Sequence, residues 1–362
     1  MVIKKIKIII ADYSSFSRLV LSDILNTEVD LEVMDTAENG EELLQKIKEH
    51  TPDLVIADYH LPKNSRMFTF RRIQQEFKVP ILGIIGTENL PEDFIFEALK
   101  VGVYDFVHIS SYTGFPQFRK IQDEIIQKVR AVMDIKHEQL QIYQAGTGKR
   151  VTDASVINRN TARFLNPSSY VVMGASTGGT KALEAIIKDL SVDLSSAVLI
   201  AVHLPGKFTR TFTQRLKGLT ALKVVEGKTG TRLEAGKIIV APGDKNMIVN
   251  RHMGIKTDLR VDFSLEPSHE FDRPSVDLLM KSVAKVAGAN TLGVILTGMG
   301  KDGTAGAKAI IGKGGETVAQ DEASSAIFGM AKSAIDKGYI SKVISLTQIP
   351  EYINRFAEYH RI

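Results

Sequence analysis

The stretch Ser169-Tyr170-Val171-Val172-Met173-Gly174-Ala175-Ser176-Thr177-Gly178-Gly179-Thr180-Lys181 limits what this chain can fold into more than any other. A short apolar run enters a turn of small residues, and Lys181–Leu190 follows with its apolar positions at helical spacing. Strand, turn and helix in that order are the repeating step of a parallel α/β sheet. Ser176 falls at the bend, inside Gly174-x-Ser176-x-Gly178, a spacing in which a sharp strand-to-helix turn exposes a hydroxyl while glycines remove steric cover. The helix start also aims backbone N–H groups and a positive dipole at charge developing beside that serine. On this stretch alone three readings stay open: a nucleophile, an anion cradle, and a purely structural turn. The phosphate-loop pattern G-x-x-x-x-G-K-[ST] and the dinucleotide pattern G-x-G-x-x-G are both unmatched.

At 362 residues the chain exceeds the usual single-domain size, so two domains and a connector are expected. With 44% apolar and 24% charged residues it reads as a soluble globular protein. Cysteine is absent, which rules out a disulfide framework, a thiolate metal site and a cysteine nucleophile, and suits a reducing cytoplasm. The lysine-interrupted run Met1–Ala11 is too short for a secretory signal, and no stretch approaches the roughly 18 apolar residues of a membrane span. A net charge of +4, without a basic block, makes neither nucleic acid nor membrane insertion the expected partner.

In the first third, Ile6–Ala11 reads as a buried strand delivering Asp12, followed by a helix over Ser17–Asn26. Leu31–Met34, Leu54–Ala57, Pro80–Ile85 and Tyr104–Ile109 supply four more strands, with helices at Gly40–His50 and Glu92–Val101. Such alternation predicts a doubly wound five-stranded parallel sheet whose working edge brings Asp12 and Asp58 together. Two carboxylates there repel, and the usual remedy is a divalent cation bound through oxygen ligands. With Asp58-x-x-x-Pro62, residues 5–125 resemble the receiver domain of two-component response regulators, which makes Asp58 the candidate phosphoacceptor and Asp12 part of the acidic site. Three positions depart from that family: Tyr13 replaces the second acid after the first strand, Ile85 the switch Ser or Thr (Thr87 lies two positions on), and Ile109 the lysine. The expectation is therefore a degenerate receiver, with Mg²⁺ and a chemotaxis histidine kinase relevant only if Asp58 is still phosphorylated.

Phe115–Gln144 continues in a helical pattern that places Phe118, Ile121, Ile125, Val129, Val132 and Ile135 on one face, and Thr147–Ser168 loses all periodicity and reads as a linker. The expected domains are 1–125, a connector over 126–168, and a second domain over 169–362.

In that second domain Ala197–Val202 is another apolar run, ending in His203-Leu204-Pro205-Gly206. Ile238–Val240 and Met247–Val249 flank Ala241-Pro242-Gly243-Asp244 and suggest a hairpin or tight turn beside the main sheet. Arg273-Pro274-Ser275-Val276-Asp277 precedes a periodic segment and suits a helix start, a capping role. Leu292–Leu296 is a core strand opening into Thr297-Gly298-Met299-Gly300-Lys301-Asp302-Gly303. Ser176, His203 and Asp302 thus stand at three strand ends as nucleophile, base and orienter, a set recognised by roles and geometry. The order Ser…His…Asp is not that of the α/β-hydrolases, Ser…Asp…His.

These segments, with Ala319-Gln320-Asp321-Glu322-Ala323-Ser324, resemble the protein-glutamate methylesterase family of bacterial chemotaxis over residues 169–345, and a receiver ahead of them is that family's plan. Asp272 departs from the family's histidine before Arg-Pro-Ser-Val-Asp. The resemblance implies a largely parallel, doubly wound catalytic domain that hydrolyses glutamate γ-methyl esters, and deamidates glutamines, on methyl-accepting chemoreceptors in the cytoplasm. It also implies a receiver that covers the cleft until phosphorylated. The serine chemistry requires no metal or other cofactor, and backbone N–H groups at Thr177 and Met299 are the expected oxyanion donors. The alternative is a receptor-binding scaffold without catalysis.

Overall fold

Ile6–Ala11 (β1) is buried on both faces, with Ile8, Ile9 and Ile10 wholly inaccessible, which explains why its apolar run does not alternate. The computed structural model describes residues 4–86, 90–91, 94–109, 117–134, 166–266 and 273–361. The chain divides into two compact units, residues 1–146 and 147–362.

In the first unit β1 lies in a five-stranded parallel sheet of order β2-β1-β3-β4-β5, with β2 Leu31–Ala37, β3 Leu54–Asp58, β4 Ile81–Gly86 and β5 Val103–Ile109. Helix α1 (Ser15–Asn26) is capped by the Ser14 side chain, and α2 (Gly40–His50) by Asn39, which accepts from the Glu41 and Glu42 N–H groups. The sequence reading passed over a helical crossover between β3 and β4: α3 (Phe68–Arg72) continues into a π turn over Ile73–Phe77. It is too short to display a period, yet parallel neighbours require a crossover, and buried Phe70 and Ile73 attach it to the sheet. After α4 (Phe94–Lys100), the segment expected to be one long helix is broken at Ile121 into α5 (Gln117–Lys120) and α6 (Gln122–Arg130). Phe118, Ile125, Val129 and Val132 are buried as their spacing predicts, while Ile135 and the linker up to Leu165 lie outside the described residues.

The second unit holds a seven-stranded sheet of order β14-β13-β12-β6-β7-β9-β8, parallel at every pairing. Its strands are β6 Ser169–Ala175, β7 Ser196–Val202, β8 Lys223–Glu226, β9 Lys237–Val240, β12 Thr291–Ile295, β13 Glu316–Gln320 and β14 Lys342–Ile344. Of the expected hairpin or tight turn around Ala241–Asp244, the turn is present, its Lys245 N–H donating to Pro242 O at 3.3 Å, and the hairpin is corrected: β9 belongs to this sheet, whereas β10 (Asn246–Arg251) pairs antiparallel with β11 (Leu259–Ser264) in a separate ribbon. Pro242 has no N–H for a ladder, and the Gly243 N–H is taken by the Thr209 hydroxyl at 2.9 Å, so the chain is led out of the sheet. Among the described residues six helices accompany these strands: α7 (Gly179–Ile187), α8 (Gly206–Lys217), α9 (Val276–Ala287), α10 (Thr304–Ile311), α11 (Met330–Asp336) and α12 (Ile349–Tyr359). The chain passes from β6 to β7 on one side, and β12 returns on the other. In a doubly wound sheet such a reversal marks the working edge, beyond the carboxyl ends of β6 and its neighbours. No helix among the described residues is long and apolar enough to cross a membrane.

Candidate active site

Ala175 closes β6 and is paired with Val202, which closes β7; the His203 N–H donates to the Ala175 carbonyl at 3.1 Å. Ser176 and His203 are therefore the first residues beyond two adjacent strands, whose axes run about 4.8 Å apart. The Ser176 backbone is held on both sides: its N–H donates to Thr297 O at 3.1 Å, and its carbonyl accepts the Gly179 N–H at 2.7 Å. Gly178, at φ +77°, turns the chain into α7 in a conformation that an L side chain rarely adopts. Gly174 has a different role, since a Cβ there would come within 2.2 Å of Val276 at the start of α9.

His203 Nε2 lies 3.1 Å from Asp302 Oδ2. Asp302 is 5% exposed, and its carboxylate also accepts N–H bonds from Val276 (2.6 Å), Asp277 (2.8 Å) and Gly303 (3.0 Å), with the Ser275 hydroxyl at 3.3 Å. Val276 and Asp277 open α9, so the otherwise unpaired N–H groups and the positive dipole of a helix start converge on this carboxylate. Burial pushes the carboxyl's pKa up. The hydrogen bond and charge of His203, with the Asp277 and Val276 N–H groups, outweigh burial and hold it below the usual value. An ionised Asp302 accepting from Nε2–H fixes the tautomer whose lone pair is on Nδ1. Nδ1 is then the nitrogen left for a serine proton. Among the described residues no hydrogen bond closes Ser176 Oγ to the imidazole; such links often tighten only when substrate is bound.

The segment after β12 walls the serine. A Cβ on Gly298 would meet Ser176 Cβ at 2.8 Å and Met330 Sδ at 2.4 Å, so only glycine fits without displacing the nucleophile's turn. Thr177 is buried next to Ser176, and its carbonyl accepts from Thr297 Oγ1 at 3.0 Å; half-buried Met299 follows Gly298. Gln320, wholly buried, anchors the arrangement from β13: its Oε1 accepts the Thr297 N–H at 2.9 Å and its Nε2 donates to Ser324 O at 2.6 Å. Sequence reasoning reached Gln320 only as part of a motif, and gave Ser275, also within a motif, no role beyond a helix cap. Ser275 does cap α9, accepting from Leu278 N at 3.3 Å, and it is also turned toward Asp302. Asp272 and Thr87 lie outside the described residues.

In the first unit, Ala11 pairs with Ala57, so Asp12 and Asp58 follow side by side at the carboxyl edge. Both are buried. Burial and the neighbouring Asp58 push the Asp12 carboxyl up to about 7. One Asp12 oxygen is taken by the Ser14 N–H (2.8 Å) and one Asp58 oxygen by the His60 N–H (2.6 Å). Tyr13 is 54% exposed, whereas Ile85 and Ile109 are buried, apolar side chains at a family site that otherwise carries a hydroxyl and a cation. Among the described residues no three His, Asp or Glu side chains converge as metal ligands. These donors do not fit the Mg²⁺ site of a working receiver, because two carboxylates lack both the third acid and the compensating lysine.

A family model described as CheB methylesterase matches residues 171–353, and one described as response regulator receiver domain matches residues 8–109. The protein-glutamate methylesterase/protein-glutamine glutaminase of Pyrococcus horikoshii is 33% identical over 359 residues, 98% of this chain and 94% of that one. A Geobacter sulfurreducens protein of the same description, numbered 3, is 34% identical over 97% of each chain. Among solved structures, the CheB methylesterase catalytic domain of Thermotoga maritima is 33% identical with a TM-score of 0.50, covering 52% of this chain and 97% of that one.

Proposed function

The chain belongs to the CheB methylesterase family, with a receiver domain ahead of the esterase domain, and from that premise we propose that it hydrolyses glutamate γ-methyl esters on chemoreceptor cytoplasmic helices through Ser176, His203 and Asp302. The observation that carries this reading is the His203–Asp302 hydrogen bond, set at the end of the strand beside the one that delivers Ser176.

In the proposed mechanism the Ser176 hydroxyl attacks the side-chain carbonyl while Nδ1 of His203 takes its proton, and Asp302 stabilises the resulting imidazolium. The N–H groups of Thr177 and Met299 receive the oxyanion, each such donor contributing about 3 kcal/mol. The intermediate expels methanol with the proton returned by His203. Water, activated by the same imidazole, then cleaves the acyl-serine to a carboxylate. A glutamine side chain follows the same path with ammonia as leaving group, which accounts for the deamidase activity paired with the esterase in the relatives' description.

Incubation with methylated receptor fragments is expected to release methanol in step with new glutamate carboxylates. Receptor that binds the protein yet keeps all its esters would instead mean a scaffold without catalysis.

The receiver-like unit is proposed to regulate this activity without efficient phosphorylation of Asp58, because Tyr13 and Ile109 stand where the family has its second metal-holding acid and its lysine, so neither a firmly held cation nor an ammonium offsets the charge a phosphoryl group brings. Partner binding then takes the place of phosphorylation, and a histidine kinase is a docking partner at most. With Mg²⁺ and a small phosphodonor, intact-mass measurement is expected to find the chain unmodified; stoichiometric aspartyl phosphate on Asp58 would overturn this.

A further inference from the structure

Ser275 stands outside the three proposed catalytic residues, and its hydroxyl carries two hydrogen bonds: it accepts from Leu278 N and donates to Asp302 Oδ1, both at 3.3 Å. The residue is 4% exposed, so no bulk water replaces either bond. Its own N–H is clamped by the Asn246 side-chain oxygen at 2.9 Å, from the first residue of β10, and Asn246 is itself buried. We propose that Ser275 is a positioning residue for the esterase reaction, held by Asn246, which fixes the plane of the Asp302 carboxylate and disperses part of its charge.

The division of labour between the two carboxylate oxygens supports this. Oδ2 takes His203 Nε2 and the Val276 N–H, while Oδ1 takes the Asp277 and Gly303 N–H groups and the Ser275 hydroxyl. Donors on Oδ1 set the rotation about the Cβ–Cγ bond, and that rotation decides whether an Oδ2 lone pair points at the imidazole. The Ser275 hydroxyl is the one side-chain donor on Oδ1 among the described residues, so it is the one that substitution can remove while the backbone path stays the same. The inference rests on the proposed triad.

The titratable groups facing this carboxylate are His203 from the end of β7 and Asp277 from α9. Asp277 accepts the Gly306 N–H of α10 at 2.7 Å and feels the charge of Lys281. None of them is altered by substituting Ser275. Removing the hydroxyl leaves more of the Asp302 charge to the imidazole, which favours its protonated form. The base then becomes available only at higher pH, and the acidic limb of the kcat/KM profile moves upward.

The test measures ester hydrolysis against pH in the full chain. Ser275→Ala is expected to lower kcat about 10-fold, the scale of one hydrogen bond, with KM unchanged and the acidic limb displaced to higher pH. Ser275→Thr keeps the hydroxyl and is expected to restore both. Ser275→Gly keeps most of the capping at a few tenths of a kcal/mol, yet lacks the donor, and is expected to behave like the alanine variant. An unmoved limb in the alanine and glycine variants, or activity restored by glycine, would reduce Ser275 to a helix cap and overturn the proposal. If Asp302→Asn also left activity intact, the triad itself would have failed, which is a distinguishable result.

Discussion

Ser176→Ala is expected to abolish methanol release from methylated receptor, with kcat falling about 10⁶-fold, while the fold and receptor binding persist. The magnitude follows from the residue's proposed role. The other hydroxyls of this turn, on Thr177 and Thr180, are buried whereas Ser176 is only half-buried, and water attacking directly has only the oxyanion donors and binding to help it. The fold is expected to survive because both hydrogen bonds of Ser176 described in the turn are made by its backbone, to Thr297 O and from Gly179 N, and alanine keeps both. Circular dichroism and a receptor pull-down check integrity, and a coupled methanol assay reads the activity. Turnover within a few-fold of the parent would remove Ser176 from the chemistry.

Asp302→Asn is expected to lower kcat about 10⁴-fold, although the two side chains have nearly the same shape. The carboxylate is surrounded by donors: three backbone N–H groups, one hydroxyl and the imidazole. An amide offers one accepting oxygen and turns an NH₂ either toward those N–H groups or toward the imidazole. In the first case buried donors are left unpaired, at about 1–3 kcal/mol each. In the second, Nε2 is driven to act as acceptor and the proton moves to Nδ1, where the lone pair for Ser176 is needed. The pH behaviour of the unsubstituted protein carries the same logic. Because the folded-state pKa of Asp302 is depressed, its stabilising contribution is fully present above the unfolded carboxyl value of 3.8 and is lost as pH falls below it. Asp302 therefore stays ionised, and able to orient the base, at mildly acidic pH. An asparagine variant retaining activity within about 10-fold of the parent would show that the carboxylate does not orient the base.

The first strand of each unit's sheet was readable locally. Runs such as Ile6–Ala11 and Ser169–Ala175 are apolar without alternation because both faces of a parallel strand are covered, and that property belongs to a short segment. The acidic pair was readable for the same reason, since each carboxylate ends such a run. The crossover α3, the separate β10–β11 ribbon and the break at Ile121 were not readable, because each depends on what the segment packs against.

The chain's own order determined that Ser176 and His203 stand directly beyond β6 and β7 and that Asp302 lies in the loop after β12, hence that a hydroxyl, an imidazole and a carboxylate come from one sheet edge: strand ends follow from local patterning, and parallel pairing aligns them. Only the tertiary structure decided that the start of α9 feeds its N–H groups into Asp302, that Gly174 makes room for Val276, and that Gln320 secures the serine's turn through Thr297. Those partners lie 23 to more than 100 residues apart along the chain. Such contacts arise from how layers stack and are set by shape and hydrogen bonding across the fold, so no local run of residues encodes them.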